Sequence, residues 1–273
     1  LERAYFNYRK DWGRVPTNFS LGRRPGTDGP PMEYMNYSLE GGSPLATVIN
    51  WQFDGASYNI GLEEVTSIPG ASLKLCYGQG FEGDWGNTYA LSNQQSAVDD
   101  VHFGGFIATL FDNDTTSAVL NYAHAWDITD GFNGLIVLPG DPVSGNPIPA
   151  PVVLRYTPSA HLGDMYLGNI VFERDEGPLS WFVSYAANSS KANDVTTPFG
   201  GLFSDPFETP QDQDGWSLYV GVRAPFGNNF VGLEYNHGSE YWFNFTQAAD
   251  DIVGSKLATR GDAYEGYWIH EFK

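Results

Sequence analysis

Residues 215–238, GWSLYVGVRAPFGNNFVGLEYNHG, alternate strictly in polarity on either side of a short turn. In the first arm Trp216, Leu218, Val220, Val222 and Ala224 share one parity, and Ser217, Tyr219, Gly221 and Arg223 share the other. In the second arm Val231, Leu233 and Tyr235 oppose Gly232, Glu234 and Asn236. Successive side chains of a strand point to opposite faces. The stretch therefore predicts a β-hairpin with one apolar face and one small or polar face. The intervening Ala-Pro-Phe-Gly-Asn-Asn is turn chemistry: proline sets φ, and glycine and asparagine tolerate positive φ. Two solvents account for such a ribbon. Its apolar face meets a protein core with water outside, or it meets lipid with a polar lumen inside.

The same period recurs along the chain. Residues 2–9 put Ala4, Phe6 and Tyr8 opposite Arg3, Tyr5, Asn7 and Arg9, and residues 17–23 follow suit. Further strands are expected at residues 46–54, 57–62, 72–77, 101–111, 117–127, 165–174, 179–187 and 257–272. In the 101–111 arm apolar residues fall on both faces, Phe106 and Leu110 among them, and a loop packed into a lumen would cover them. Residues 136–158 are too rich in proline for a central strand. The total is about twelve strands in an antiparallel all-β fold, read as one barrel domain over residues 1–273. Length alone leaves two smaller domains open.

Three clues favour lipid over a core. Long and short connections alternate from residue 101 onward, as in outer-membrane barrels. Strands of about nine to eleven residues suit a tilted membrane-spanning strand better than a globular one. Trp51, Trp126, Trp181, Tyr185, Trp216 and Tyr235 sit where an aromatic girdle would place them. A mean hydropathy of -0.31 is no obstacle, because only alternate residues of each strand would meet lipid. There is no apolar run long enough for a transmembrane helix. The chain opens on Leu1 without a signal-peptide pattern, and so reads as mature, processed or trimmed.

A formal charge of -19 opposes phosphate binding, so nucleic acid is not an expected partner. The acidic surface serves solubility or binds cations. The single cysteine, Cys76, forbids an internal disulfide and reads as a buried inert thiol in a strand. No P-loop, GxSxG, HExxH or strand-linked GxGxxG occurs, so no enzyme activity or cofactor is expected. Asp112 and Asp114 offer oxygen ligands for calcium, but the EF-hand spacing is absent, and solvated turn tips explain them more simply.

ERAYFNY at residues 2–8, FSLGRRPGTDGPP at 19–31, GGSPLATVINWQFDG at 41–55 and LATRGDAYEGYW at 257–268 resemble a family of bacterial porin-like proteins catalogued as a domain of unknown function, DUF3373. The resemblance implies an outer-membrane β-barrel that passes small solutes or ions, alone or as a homo-oligomer embedded in outer-membrane lipid. It also implies a longer chain, so residues 1–273 are expected to be incomplete at both ends. Phe272 is penultimate, whereas porin chains commonly end on an aromatic residue.

Charged residues expected on the polar faces are the pore-lining candidates: Arg3, Arg9, Arg23, Arg24, Arg223, Glu234 and Glu265. A water-filled lumen holds such charges at little cost, whereas a dry core holds them only when paired. The simpler role for Arg23 and Arg24 is to tie down the glycine- and proline-rich loop after them. Two other functions stay open on the residues alone. One is a soluble β-sandwich that binds or cleaves carbohydrate. The other is a barrel that sheathes a partner protein such as a cytochrome.

Overall fold

A computed structural model describes residues 4–25, 47–50, 52–81, 98–130, 134–138, 152–156, 158–176, 178–197, 203–204, 209–246, 256–270 and 272. The strands in chain order are β1 (Ala4–Trp12), β2 (Val15–Pro25), β3 (Ile49–Asn50), β4 (Gln52–Gly61), β5 (Ser72–Phe81), β6 (Val101–Asp112), β7 (Thr116–Thr129), β8 (Gly134–Leu138), β9 (Val152–Tyr156), β10 (His161–Glu176), β11 (Leu179–Ala192), β12 (Asp214–Phe226), β13 (Asn229–Gly238), β14 (Phe245–Thr246) and β15 (Gly261–His270). Eleven of them form one antiparallel sheet in the order β1-β2-β4-β5-β6-β7-β10-β11-β12-β13-β15. The pairs β3–β14 and β8–β9 stand apart from it. Among the described residues helix amounts to one turn, α1 (Glu63–Thr66), a 3-10 turn at Lys256–Ala258, and single 3-10 residues at Thr47 and Phe203. Among the described residues no helix is long and apolar enough to cross a membrane.

Every neighbour in the large sheet is also the next sheet strand in sequence, so the connections sort by rim. The short ones join β1 to β2, β4 to β5, β6 to β7, β10 to β11 and β12 to β13, and all lie at one rim. The long ones span residues 26–51, 82–100, 130–160, 193–213 and 239–260, and all leave from the other. The hairpin of residues 215–238 is tighter than its sequence implies. β12 runs through Pro225 to Phe226, which pairs with Asn229, and Gly227 makes the turn at φ 64.

One face of the sheet is apolar and exposed. Phe6, Leu21, Leu75, Tyr122, Phe172, Tyr185, Val222, Leu233 and Trp268 share one face and are exposed, Leu233 at 62% and Trp268 at 69%. On the opposite face Ser20, Ser57, Asn121, Asn169, Ser184, Ser217, Glu234 and Asn236 are buried. Nothing among the described residues stacks on the apolar face as a second layer. The free edges of the sheet are β1 and β15, which are not paired with each other among the described residues.

Three sequence expectations change. The separate strands expected at 46–54 and 57–62 are one strand, β4, because Asp54-Gly55-Ala56 continues the ladder rather than turning. Gly55 is required there: a Cβ on it would collide with the Tyr77 carbonyl. Residues 47–50 instead leave the sheet and lie against its polar face, where the Thr47 and Ser184 hydroxyls are 3.2 Å apart. Phe106 and Leu110 stay on the apolar face. The apolar residues covered by a returning loop are Val101 and Phe103, and the Phe103 ring meets Phe245 edge-on at 4.9 Å.

Candidate functional site

The polar face carries the chain's densest chemistry where the long connections fold back onto it. Parity along β13 and β15 puts Glu234 opposite Glu265 on that face. The 3-10 turn then delivers Lys256 between them, its Nζ 2.6 Å from Glu234 Oε2 and in contact with Glu265 Oε2. The Tyr219 hydroxyl on β12 also donates to Glu234 Oε2. The Glu234 side chain is 1% exposed and Lys256 15%, so the pair lies almost out of solvent. A buried carboxylate is tolerable only with such partners. Leu257, next in sequence, packs on Phe182, Tyr219 and Tyr267.

This contact belongs to a larger insert. β3 and β14 pair in parallel, Phe245 with Ile49 and Thr246 with Asn50. Asn244 Nδ2 donates to Thr47 O at 2.8 Å and to Leu257 O at 2.9 Å, and so ties three stretches of chain together. Trp242 Nε1 donates to Leu257 O at 2.8 Å. The sheet grips the insert through polar residues that the alternation exposes on this face. Asn188 donates to Tyr241 O at 3.2 Å and accepts from Phe243 N at 3.0 Å. Asn236 donates to Lys256 O at 2.9 Å. Beside them Val48, Phe203, Trp242 and Phe245 fill an apolar hollow lined by Val101, Phe103, Met165, Leu167 and Ala186.

Of the charged candidates, Arg223, Glu234 and Glu265 stand on this face, with the Arg223 guanidinium 5.2 Å from the Phe230 ring. Arg9 is exposed on the same face at the β1 edge. Arg23 is on the other face, in register with Ala4 and Asp54, and grips the Asp54 carboxylate with two hydrogen bonds of 2.7 and 2.5 Å. Phe19, Leu21 and Arg23 share a parity, and that parity is the apolar one. Arg24 pairs through its backbone with Phe53, but its side chain lies outside the described residues, as do Arg3 and Trp51.

The remaining aromatic candidates lie on the apolar face. Near the long-connection rim Trp126 packs on His124 at 4.2 Å, Trp216 on His237 at 5.0 Å, and Tyr235 on Tyr264 at 5.0 Å. Trp181 stands near the opposite rim, and Tyr185 is further along β11. That opposite rim also carries Trp12, under the Lys10 ammonium at 3.9 Å, and Trp268, whose Nε1 donates to Asn229 at 2.9 Å.

Asp112 and Asp114 sit at the β6–β7 turn. Asp112 Oδ1 accepts from Asp114 N at 3.0 Å, an Asx turn that occupies the oxygen a metal would want. Among the described residues no group of three or more His, Cys, Asp or Glu could hold a metal ion. Cys76 is half-buried in β5.

A family model described as "Protein of unknown function (DUF3373)" matches residues 1–273. The chain belongs to the DUF3373 family. No curated protein and no solved structure matches it. The part of this DUF3373 chain that sequence reasoning missed is the insert. Lys256 and Asn244 lie in connections without periodicity, so no pattern marks them. Asn188 and Asn236 were legible as polar-face residues, but their partners were not.

Proposed function

We propose that this chain forms the wall and the internal plug of an outer-membrane β-barrel channel for small solutes or ions. One observation carries the reading: from β1 to β15 one face of the sheet exposes apolar side chains, while Ser20, Ser57, Asn121, Asn169, Ser184, Ser217, Glu234 and Asn236 are buried on the other. At a strand spacing of ~4.8 Å and a rise of ~3.3 Å per residue, that apolar face is about 50 Å wide and on the order of a thousand Å² in area. Soluble monomers rarely expose more than a few hundred Å² in one patch. Hydrocarbon accepts such a face and favours the strand geometry, provided every backbone group finds a partner within the sheet. Aromatic residues at both rims suit the two interfaces, where rings with one polar end are favoured.

The polar face then borders water. Arg9 and Arg223 supply fixed charge to a lumen narrowed by residues 47–50, 242–246 and 256–258, and Lys256 neutralises Glu234 where it is buried. A lumen already occupied by the chain's own segments favours a channel over a sheath for another protein. The uncovered apolar face weighs against a soluble carbohydrate-binding sandwich. Refolded full-length protein in a planar bilayer should give stepwise conductance. Arg9→Glu with Arg223→Glu should move the reversal potential toward cation selectivity, and Arg23→Ala, altering a lipid-facing ion pair, should leave it in place. Folded, heat-modifiable protein with no conductance would sink the channel.

A further inference from the structure

On the apolar face one transverse row of the sheet, Tyr122–Gly168–Ala187–Trp216, runs in register from β7 to β12. Its two small residues stand side by side between two large rings. They floor a bowl of about 470 Å³, a size in the range of ~300–1,000 Å³ usual for small-molecule sites. Tyr166 walls the bowl on the long-connection side and Tyr185 on the other, because β10 and β11 run in opposite directions. Asp214, in register with Ser189, stands at its mouth toward the long-connection rim.

Two walls are fixed from behind. His124 on β7 stacks on Tyr166 at 4.3 Å, from the side away from β11. His237 on β13 packs on Trp216 at 5.0 Å, again from the side away from β11. Asp164 and Asp262 hold these imidazoles at 3.0 and 2.9 Å. The ring faces left open are those turned to the bowl, and walls so held need little rearrangement to receive a ligand.

Charge selects what fits. The face of an aromatic ring is negative and attracts a cation, most strongly out of water. Lys191 at the same rim is taken by Asp212 at 2.7 Å, whereas among the described residues no ion pair engages Asp214. An anion would meet that carboxylate and the negative ring faces. A positive group with an apolar coat, as an alkylammonium is, meets complementary surfaces instead. We propose that the bowl binds the ammonium head of a zwitterionic phospholipid. A lipid rather than a free solute rests on the membrane reading, which puts this face against the bilayer; the preference for a cation rests on the bowl alone.

The test titrates folded full-length protein in maltoside micelles with dihexanoyl phosphatidylcholine, and separately with dihexanoyl phosphatidylglycerol, which has the same chains and an anionic head. The signal is tryptophan fluorescence, with Trp216→Phe identifying the part that comes from the bowl. The expected result is a saturable change with the choline lipid only. Ala187→Leu fills the floor from an exposed position and removes no ring, and should raise half-saturation about tenfold. Asp214→Asn should raise it severalfold. Heat-modifiable gel mobility verifies that both variants fold. An equal response to the two lipids would overturn the proposal in favour of acyl-chain contact, and a choline response untouched by both variants would place the binding elsewhere. Folded, detergent-dependent protein with no choline response would overturn the bowl and leave the membrane reading standing. Saturable binding of tetramethylammonium chloride by protein that stays folded without detergent would overturn the lipid source together with the membrane reading.

Discussion

Lys256 and Glu234 show how one residue pair couples the sheet to the segments folded against its polar face. Removing one partner of a buried ion pair leaves the other charged and desolvated, at a cost of about 3–5 kcal/mol. Lys256→Met should therefore lower the temperature at which the folded, fast-migrating gel form converts to the unfolded one. Adding Glu234→Gln should recover part of that loss, because the stranded charge is then gone. If the single and double variants melt alike, the pair does not hold the plug. A second pair sits at the long-connection rim. Lys191, by its hydrogen bond at 2.7 Å, and then the Ala192 N–H hold the Asp212 carboxyl below the usual carboxylate range. A depressed carboxylate contributes above its ordinary value of 3.8 and stops contributing as pH falls through its lowered one. Cleavage of the 193–213 connection by an acid-active protease should rise only under strongly acidic conditions. Asp212→Asn should make cleavage nearly independent of pH.

Elements tell how far a sequence can be read. Strict alternation identified β12, β13, β11 and the edge strands, because a face wetted by one solvent writes its period directly into the chain. It failed at Asp54-Gly55-Ala56, where glycine looks like a turn but permits close backbone approach inside a continuous strand. The period was equally silent about the insert. Parity says that Asn188 and Asn236 face away from the apolar side, but not that they hold Tyr241, Phe243 and Lys256 across long sequence separations. The phase of Arg23 was legible in Phe19 and Leu21. Its charge drew it to the polar side in the sequence reading, whereas Asp54 neutralises it where it stands. At this scale the sharpest variant is Asn244→Ala. It removes one hydrogen bond from Thr47 O and one from Leu257 O, which keeps that of Trp242 Nε1, at about 0.5–1.5 kcal/mol each. The wall should keep its heat-modifiable mobility while conductance rises, since the clamp holds the insert and not the strands. Unchanged conductance would mean that the insert does not limit flow.

For the whole molecule the deciding question is which solvent touches Leu233, 62% exposed on the apolar face. In water Leu233→Lys is close to neutral. At the middle of a bilayer a lysine on a barrel's lipid face costs about 2–4 kcal/mol. Asn59→Lys, one residue type on the opposite face, is the control: it should be tolerated by a wet lumen. Equal stability of the two variants in lipid vesicles would show that the bilayer does not distinguish the faces.

The sorting of connections by length gives the molecule a top and a bottom. At the crowded rim only the β3–β14 and β8–β9 pairs tie the connections into a ladder, while at the opposite rim a one-residue insertion into a two-residue turn would shift the register of two strands at once. Epitope tags and foreign loops therefore belong on the long-connection side, and the two-residue link at Gly227–Asn228 is the place where none will be accepted.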